Sequence, residues 1–398
     1  MNLDAAPILA FWETTKACRL ACRHCRATAL PAPLPGQLST EEGLRLIDDL
    51  TGFDSRSLIL VLTGGDPFMR PDLFELAAKA RSRGLPVALS PAVTPLLTEE
   101  PLDRALELGI RSISISLDGA NPATHEGVRQ VADHFASTKA ALEMLVRKGF
   151  KVQVNTTVMR ENVEELPEIA ALLVGLGVHI WEVFYLIAVG RGTEIRALSP
   201  AECEDVAHFL FDSSAYGLVV RTVEAPFFRR VTAWRKQAPA GVDPADHFKL
   251  GSLYRRLREG LRQQLGEPKG APSAQTAKTR DGKGILFISH DGEVWPAGFL
   301  PVPLGNVRQQ NVVDIYRNHP VLKKIRAGEF GGRCGRCEYQ DLCGGSRARA
   351  FGVTGDYMES EPYCVYVSAE AKERGLTAPP PWPRQRPDSD YVPVVARG

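Results

Sequence analysis

No stretch of this sequence approaches the roughly 20 consecutive apolar residues that a bilayer-spanning helix needs, so nothing in it reads as membrane-embedded. It also lacks any long block of one charge sign. Its 48 Lys and Arg face 47 Asp and Glu, a formal charge of +1, which leaves no electrostatic footprint for nucleic acid or a membrane surface. The opening MNLDAAPILAFWE has neither the basic segment nor the long apolar core of a secretory signal, so the expected location is the cytoplasm. Internal repeats are absent. Cysteine is scarce, eight in 398 residues, and in a reducing compartment clustered thiols bind metals more often than they form disulfides. What remains is an ordinary globular composition, 44% hydrophobic and 24% charged, in a chain long enough for one large and one smaller domain.

The first half alternates two periods. Short runs rich in Val, Ile and Phe at 8–15, 57–65, 85–90, 111–119, 151–158 and 179–187 predict strands, with a further one at 217–223. Amphipathic patterns at 38–50, 71–84, 98–109, 137–149 and 162–177 predict helices. The first of these opens with a Ser39-to-Glu42 capping box, and several end in Gly. Strands alternating with helices mean parallel βα units of the α/β class, in an open doubly wound sheet or a curved partial barrel. Either fold puts its site at the C-terminal ends of the strands.

Residues 190–260 read as mostly helical, 266–284 as a Gly/Pro/Ala/Ser-rich linker or long loop, and 284–299 as a hairpin about Asp291-Gly292. The expected division is a core over 1–225, a helical segment and linker over 226–283, a small domain over 284–370, and an extended proline-rich tail over 371–398.

Seven of the eight cysteines fall into two groups. Cys18, Cys22 and Cys25 stand as C-x3-C-x2-C just after the first strand. Three thiolates fit a zinc site completed by His24 or a distant residue. They also fit a 4Fe–4S cluster with one open iron, which is a reaction site. Cys334, Cys337 and Cys343, with Cys364 further on, fit a zinc ribbon or a fully ligated iron–sulfur cluster. Cys203 stands alone on an amphipathic pattern and reads as a small core residue.

The first group, with the ring residue His24 before its third cysteine, resembles the signature of the radical S-adenosylmethionine (SAM) superfamily. The resemblance implies a partial (β/α)6 TIM-like barrel in which the open iron chelates the amine and carboxylate of SAM. An electron from the cluster then splits SAM to a 5′-deoxyadenosyl radical. TGGDP (63–67) is similar to the family's glycine-rich SAM motif, with Gly64 and Gly65 offering backbone groups to the SAM amine and Asp66 in place of the usual Glu. SISLDG (114–119) and VNTTV (154–158) resemble the family's fourth and fifth strand ends, so Ser116 would contact the amino-acid part of SAM and Asn155 its ribose. LSPAVTPLL (89–97) departs from the Thr-Asn-Gly found after the third strand in many relatives. Arg191, in the GRG after the sixth strand, would pair with a carboxylate of SAM or substrate, or stand as a solvated loop arginine.

The second cysteine group resembles the SPASM domain that follows the barrel in many such enzymes, where these four positions hold an auxiliary 4Fe–4S cluster. The usual cysteines of a second auxiliary cluster are here Ala297 and Arg347, so one auxiliary cluster is expected. The pattern is similar to NirJ-like heme-maturation and PqqE-like peptide-maturation enzymes. Implied are hydrogen abstraction from a small-molecule substrate such as a tetrapyrrole side chain, or from a ribosomal peptide, and a low-potential electron donor such as flavodoxin or ferredoxin. A non-catalytic iron–sulfur or zinc carrier or sensor is the reading from another class.

Overall fold

The computed structural model describes residues 2–379 apart from 28–29, 54–57, 188, 269 and 276–278. Most of the proline-rich tail lies outside the described residues. Seven strands run parallel and pair in chain order: β1 (Leu9–Glu13), β2 (Ile59–Thr63), β3 (Val87–Leu89), β4 (Ser112–Ser116), β5 (Lys151–Val158), β6 (Ile180–Tyr185) and β7 (Val219–Val223). Helices α1 (Thr40–Leu50), α2 (Leu73–Ser82), α3 (Glu99–Glu107), α4 (Pro122–Arg129), α5 (His134–Arg147) and α6 (Leu166–Gly175) fill the connections. The Ser39–Glu42 capping box is present, with Glu42 N–H donating to Ser39 Oγ at 3.2 Å and Ser39 N–H to Glu42 Oε2 at 2.8 Å.

Strand order decides between the two architectures. A doubly wound sheet reverses its order at a switch point, with helices on both faces. From β1 to β7 the order never reverses, and right-handed crossovers then place the helices that connect these strands on one face. The other face becomes the lumen of a partial barrel. Side chains sort accordingly. In β4 Ile113 and Ile115 are buried while Ser112, Ser114 and Ser116 face the lumen; in β5 Val152 and Val154 alternate with Gln153 and Asn155. Each fully buried aliphatic side chain in the sheet–helix layer contributes about 1.5–3 kcal/mol, which leaves the lumen face free to be polar.

Three features depart from the sequence expectation. The hairpin β8 (Ile285–Ile288) and β9 (Glu293–Trp295) does not start a separate sheet: β8 pairs in parallel with β1. With β10 (Gly305–Asn306) on β9 the sheet reaches ten strands. The linker is tied down in part, because Gln275 N–H donates to Val220 O at 2.9 Å and Ser273 Oγ to Leu218 O at 2.7 Å along β7. Helix α4 was not anticipated, although Asn121 caps it and Pro122 occupies its first turn. Beyond β6 the chain is helical as expected, with α7 (Pro200–Ser213), α8 (Phe228–Gln237), α9 (Pro244–His247) and α10 (Ser252–Leu265). After β10 come α11 (Val312–Asn318), α12 (Pro320–Ala327), α13 (Arg347–Thr354) and α14 (Ala369–Glu373), so the start of the segment expected to be extended is helical, capped by Ser368.

Candidate functional site

The loop carrying Cys18, Cys22 and Cys25 leaves the C-terminal end of β1 and is fastened by its own backbone. Thr14 N–H donates to Thr63 O at 2.8 Å, Gly65 N–H to Thr15 O at 2.7 Å and Asp66 N–H to Ala17 O at 2.7 Å. From other elements, Arg23 N–H reaches Val128 O at the end of α4 (2.9 Å), and Arg191 N–H reaches Cys25 O (3.2 Å). All three thiols are free; Cys22 is buried, and the other two are partly exposed. Burial pushes the Cys18 thiol up to about 11. Such a group becomes a thiolate when a bound metal replaces its proton, as metal-ligating cysteines require.

The TGGDP turn is committed to this loop. A Cβ on Gly65 would lie 2.3 Å from Ala17 O, and one on Gly64, whose φ is +154°, would lie 2.4 Å from Thr15 O. The glycines are therefore required for the close approach of turn and cysteine loop. The Gly65 and Asp66 N–H groups are consumed there and Asp66 O accepts from Met69 N–H at 2.9 Å, which leaves the carbonyls of Gly64 and Gly65 for a ligand. The Asp66 carboxylate is fully buried and accepts from Thr94 Oγ1 (2.9 Å) and Phe68 N–H (3.2 Å), so its side chain serves the turn.

Ser116 and Asn155 are in register on β4 and β5, and the row continues through Glu182 on β6 to Arg221 on β7. Gln153 Nε2 joins the row, donating to Asn155 Oδ1 at 2.8 Å and to Glu182 Oε2 at 2.9 Å. Burial raises the Glu182 carboxyl above its ordinary value despite Arg221 beside it. Arg191 lies in the turn after β6; its Nε is buried with no hydrogen-bond partner among the described residues. A buried guanidinium N–H with nothing to bond is the kind of donor a carboxylate ligand satisfies.

Two buried charge clusters flank the cysteine loop; His24 and Asp118 stand inside the motifs, but nothing in the motifs points to their pairing. On one side Asp118, fully buried after β4, takes His24 Nε2 at 3.1 Å, Arg129 Nη2 at 2.5 Å and Thr157 N–H at 2.8 Å. Burial alone would raise its carboxyl, yet Arg129 and then His24 hold it well below the usual range. On the other side Glu13, at the end of β1, pairs with Arg26, and His290 Nδ1 lies 3.7 Å away. Against the push of burial, Arg26 and His290 help hold Glu13 down at about 2. The Arg26 guanidinium lies over the rings of Phe287 and Trp295, 4.7 and 5.9 Å from their centroids, so the loop leans on the β8–β9 hairpin.

The remaining thiols gather elsewhere. Cys334, Cys337, Cys343 and Cys364 line one cavity with Arg230, Tyr339 and Tyr366. Burial pushes Cys343 up to about 12 and raises Cys364 further. Backbone N–H groups of Glu361 and Gly345 point at Cys334 Sγ (3.3 Å) and Cys343 Sγ (3.4 Å). Arg230 is held bidentately by Glu204 at 2.8 and 2.6 Å, its positive charge turned to the cavity. Among the described residues no three His, Cys, Asp or Glu side chains are gathered tightly enough for a single metal ion. Four irons at the corners of a cubane spread their thiolates wider than one ion does. Arg347 is fully buried, donating to Tyr357 O at 3.0 Å and Glu359 O at 2.7 Å, and Ala297 belongs to an apolar cluster with Ile187, Leu300, Phe330 and Ala348. Cys203 is buried on α7 as expected, with Arg349 Nη2 at 3.6 Å from its sulfur.

The profile of the radical SAM superfamily matches residues 12–173, and that of SPASM, an iron–sulfur cluster-binding domain, matches 280–338. The chain is 36% identical over 363 residues to the AdoMet-dependent heme synthase of Methanosarcina barkeri, covering 91% of this chain and 97% of the relative. The chain belongs to the radical SAM superfamily. It is a radical SAM enzyme, and its cofactors are SAM and 4Fe–4S clusters. Mycofactocin maturase MftC of Mycobacterium ulcerans is 30% identical over 386 residues, covering 95% of this chain and 94% of the relative. The crystal structure of Streptococcus suis SuiB bound to S-adenosylmethionine shares the fold, with a TM-score of 0.65 at 13% identity over 91% of this chain and 78% of that one. Among the described residues no helix is long and apolar enough to cross a membrane.

Proposed function

We propose that this radical SAM enzyme acts on a tetrapyrrole side chain in heme maturation. Cys18, Cys22 and Cys25 hold the SAM-binding cluster, and Cys334, Cys337, Cys343 and Cys364 hold one auxiliary cluster. Bound at the first site, SAM supplies a 5′-deoxyadenosyl radical for hydrogen abstraction. The chain's own residues bind and orient. The carbonyls of Gly64 and Gly65 would face the SAM amine beside Asp66, Arg191 Nε its carboxylate or that of the substrate, and Ser116 and Asn155 its methionine and ribose parts. Arg221 offers a cation to substrate carboxylates, in the same row across the lumen. Arg347 is buried and Ala297 lies among apolar side chains, so neither position supplies a thiolate to a second auxiliary cluster, which supports a single one.

One observation carries the reading: three free thiols, a turn with spare carbonyls and the orphaned Arg191 Nε share one rim, in a chain alike over nearly its whole length to a heme synthase. The electron comes from a flavodoxin or ferredoxin, in the cytoplasm where the thiols stay reduced. The core spans 1–225 and the auxiliary domain 284–370, with 226–283 between them. The likeness to MftC supports a second substrate class, a ribosomal peptide. Anaerobic turnover with SAM, a strong reductant and a propionate-bearing tetrapyrrole should release 5′-deoxyadenosine and alter the tetrapyrrole's mass. SAM cleavage that leaves the tetrapyrrole unchanged while a precursor peptide is modified would favour the maturase reading; no cleavage at all would leave a carrier.

A further inference from the structure

Arg129 ends α4, 107 positions along the chain from Cys22, and its Nη1 donates to Cys22 Sγ at 3.5 Å. Both residues are 7% exposed. Nη2 of the same guanidinium is clamped at 2.5 Å by Asp118 Oδ2, and Asp118 is itself fixed by His24 and by Thr157 N–H. Arg129 Nε is buried and has no hydrogen-bond partner among the described residues. The clamp therefore holds one edge of the fork and turns a cation and an N–H group toward a ligating sulfur.

We infer that Arg129, positioned by Asp118, raises the reduction potential of the cluster held by Cys18, Cys22 and Cys25. The inference rests on that ligand assignment. N–H···S bonds and nearby positive charge withdraw electron density from cluster sulfurs and favour the reduced, more negative state. The carboxylate of Asp118 opposes this, but it stands behind the guanidinium, so the pair acts as a dipole with its positive end on Cys22. A dry site strengthens that dipole. Arg129 is a positioning and tuning residue; it need not touch SAM or substrate.

The test is an EPR-monitored redox titration of the reconstituted holoenzyme, reading the signal that SAM perturbs. Asp118→Asn with Arg129→Met removes the dipole without leaving a buried charge. Its midpoint should fall so that the ratio of reduced to oxidised cluster at a fixed poise drops at least tenfold, or 59 mV for one electron. Arg129→Lys keeps the cation but loses the fork, and should shift less in the same direction; it decides the matter if the double variant does not fold. A merely structural role would lower iron content and leave the midpoint of the surviving clusters unchanged, and that result in both variants overturns the inference. Absence of any SAM-sensitive signal from wild type would overturn the ligand assignment together with it.

Discussion

Substituting Gly65 by alanine tests how the glycine turn works. The added Cβ would sit 2.3 Å from Ala17 O and 2.7 Å from Lys16 O, backbone atoms of the cysteine loop that no rotamer change can move aside. Ordinary contact begins near 3.4 Å, so turn and loop must part by about 1 Å. Separation of that size breaks the bonds from Gly65 N–H to Thr15 O and from Asp66 N–H to Ala17 O, both 2.7 Å. At about 1 kcal/mol net each, the loss is about 2 kcal/mol, which lowers the population of the closed loop roughly 30-fold. The expected phenotype is poor assembly of the N-terminal cluster, upstream of any effect on SAM. Anaerobic reconstitution followed by iron and sulfide analysis reads it, with the auxiliary cluster as internal standard: about 4 irons should remain of about 8. Full loading of Gly65→Ala, with SAM affinity alone reduced, would refute the reasoning and return the turn to a purely SAM-facing role.

Cys337→Ala should also bring iron from about 8 to about 4 per chain, but from the other site, and should leave SAM cleavage detectable; complete loss of cleavage with the first cluster loaded would contradict the division of labour. His125 and His134 form a buried hydrogen-bonded pair 2.8 Å apart, and burial, with Arg129 nearby, pushes His125 down to about 3. The folded protein keeps His125 neutral while the unfolded chain takes up a proton below about 6.5, so stability should fall by about 2 kcal/mol from this residue between pH 7 and 5. Denaturant titrations of His125→Gln should show a correspondingly flatter profile over that range, and parallel profiles would count against it. Glu224, at a φ of +58°, lies with Asp281 and Ser346; burial and then the Asp281 charge raise its carboxyl well above the ordinary value. Its carboxyl holds the proton to higher pH in the folded state than in the unfolded chain, where it ionises above about 4.5, so it costs stability as pH rises past that value. Glu224→Gln should therefore raise Tm at pH 8 and not at pH 4.5, and a lower Tm at pH 8 would show the acid to be needed in its charged form.

The chain's local patterns carried a great deal. Period-2 and period-3.6 hydrophobicity marked each strand of the barrel, because burying one face is a local requirement repeated along an element. The Ser39–Glu42 box and the spacing of Cys18, Cys22 and Cys25 were legible for the same reason: their partners lie within a few residues. Tertiary structure decided what depends on partners far apart. Strand order made the sheet a barrel, and the parallel pairing of β8 with β1 joined the C-terminal unit to it. The close approach to Ala17 O is a demand on Gly65 that the sequence could not show, beside the SAM contact expected of it. Asp118, Arg129 and Cys22 carry no common motif, yet they meet across about a hundred residues because a buried charge is tolerated only where the fold brings its counter-charge to it.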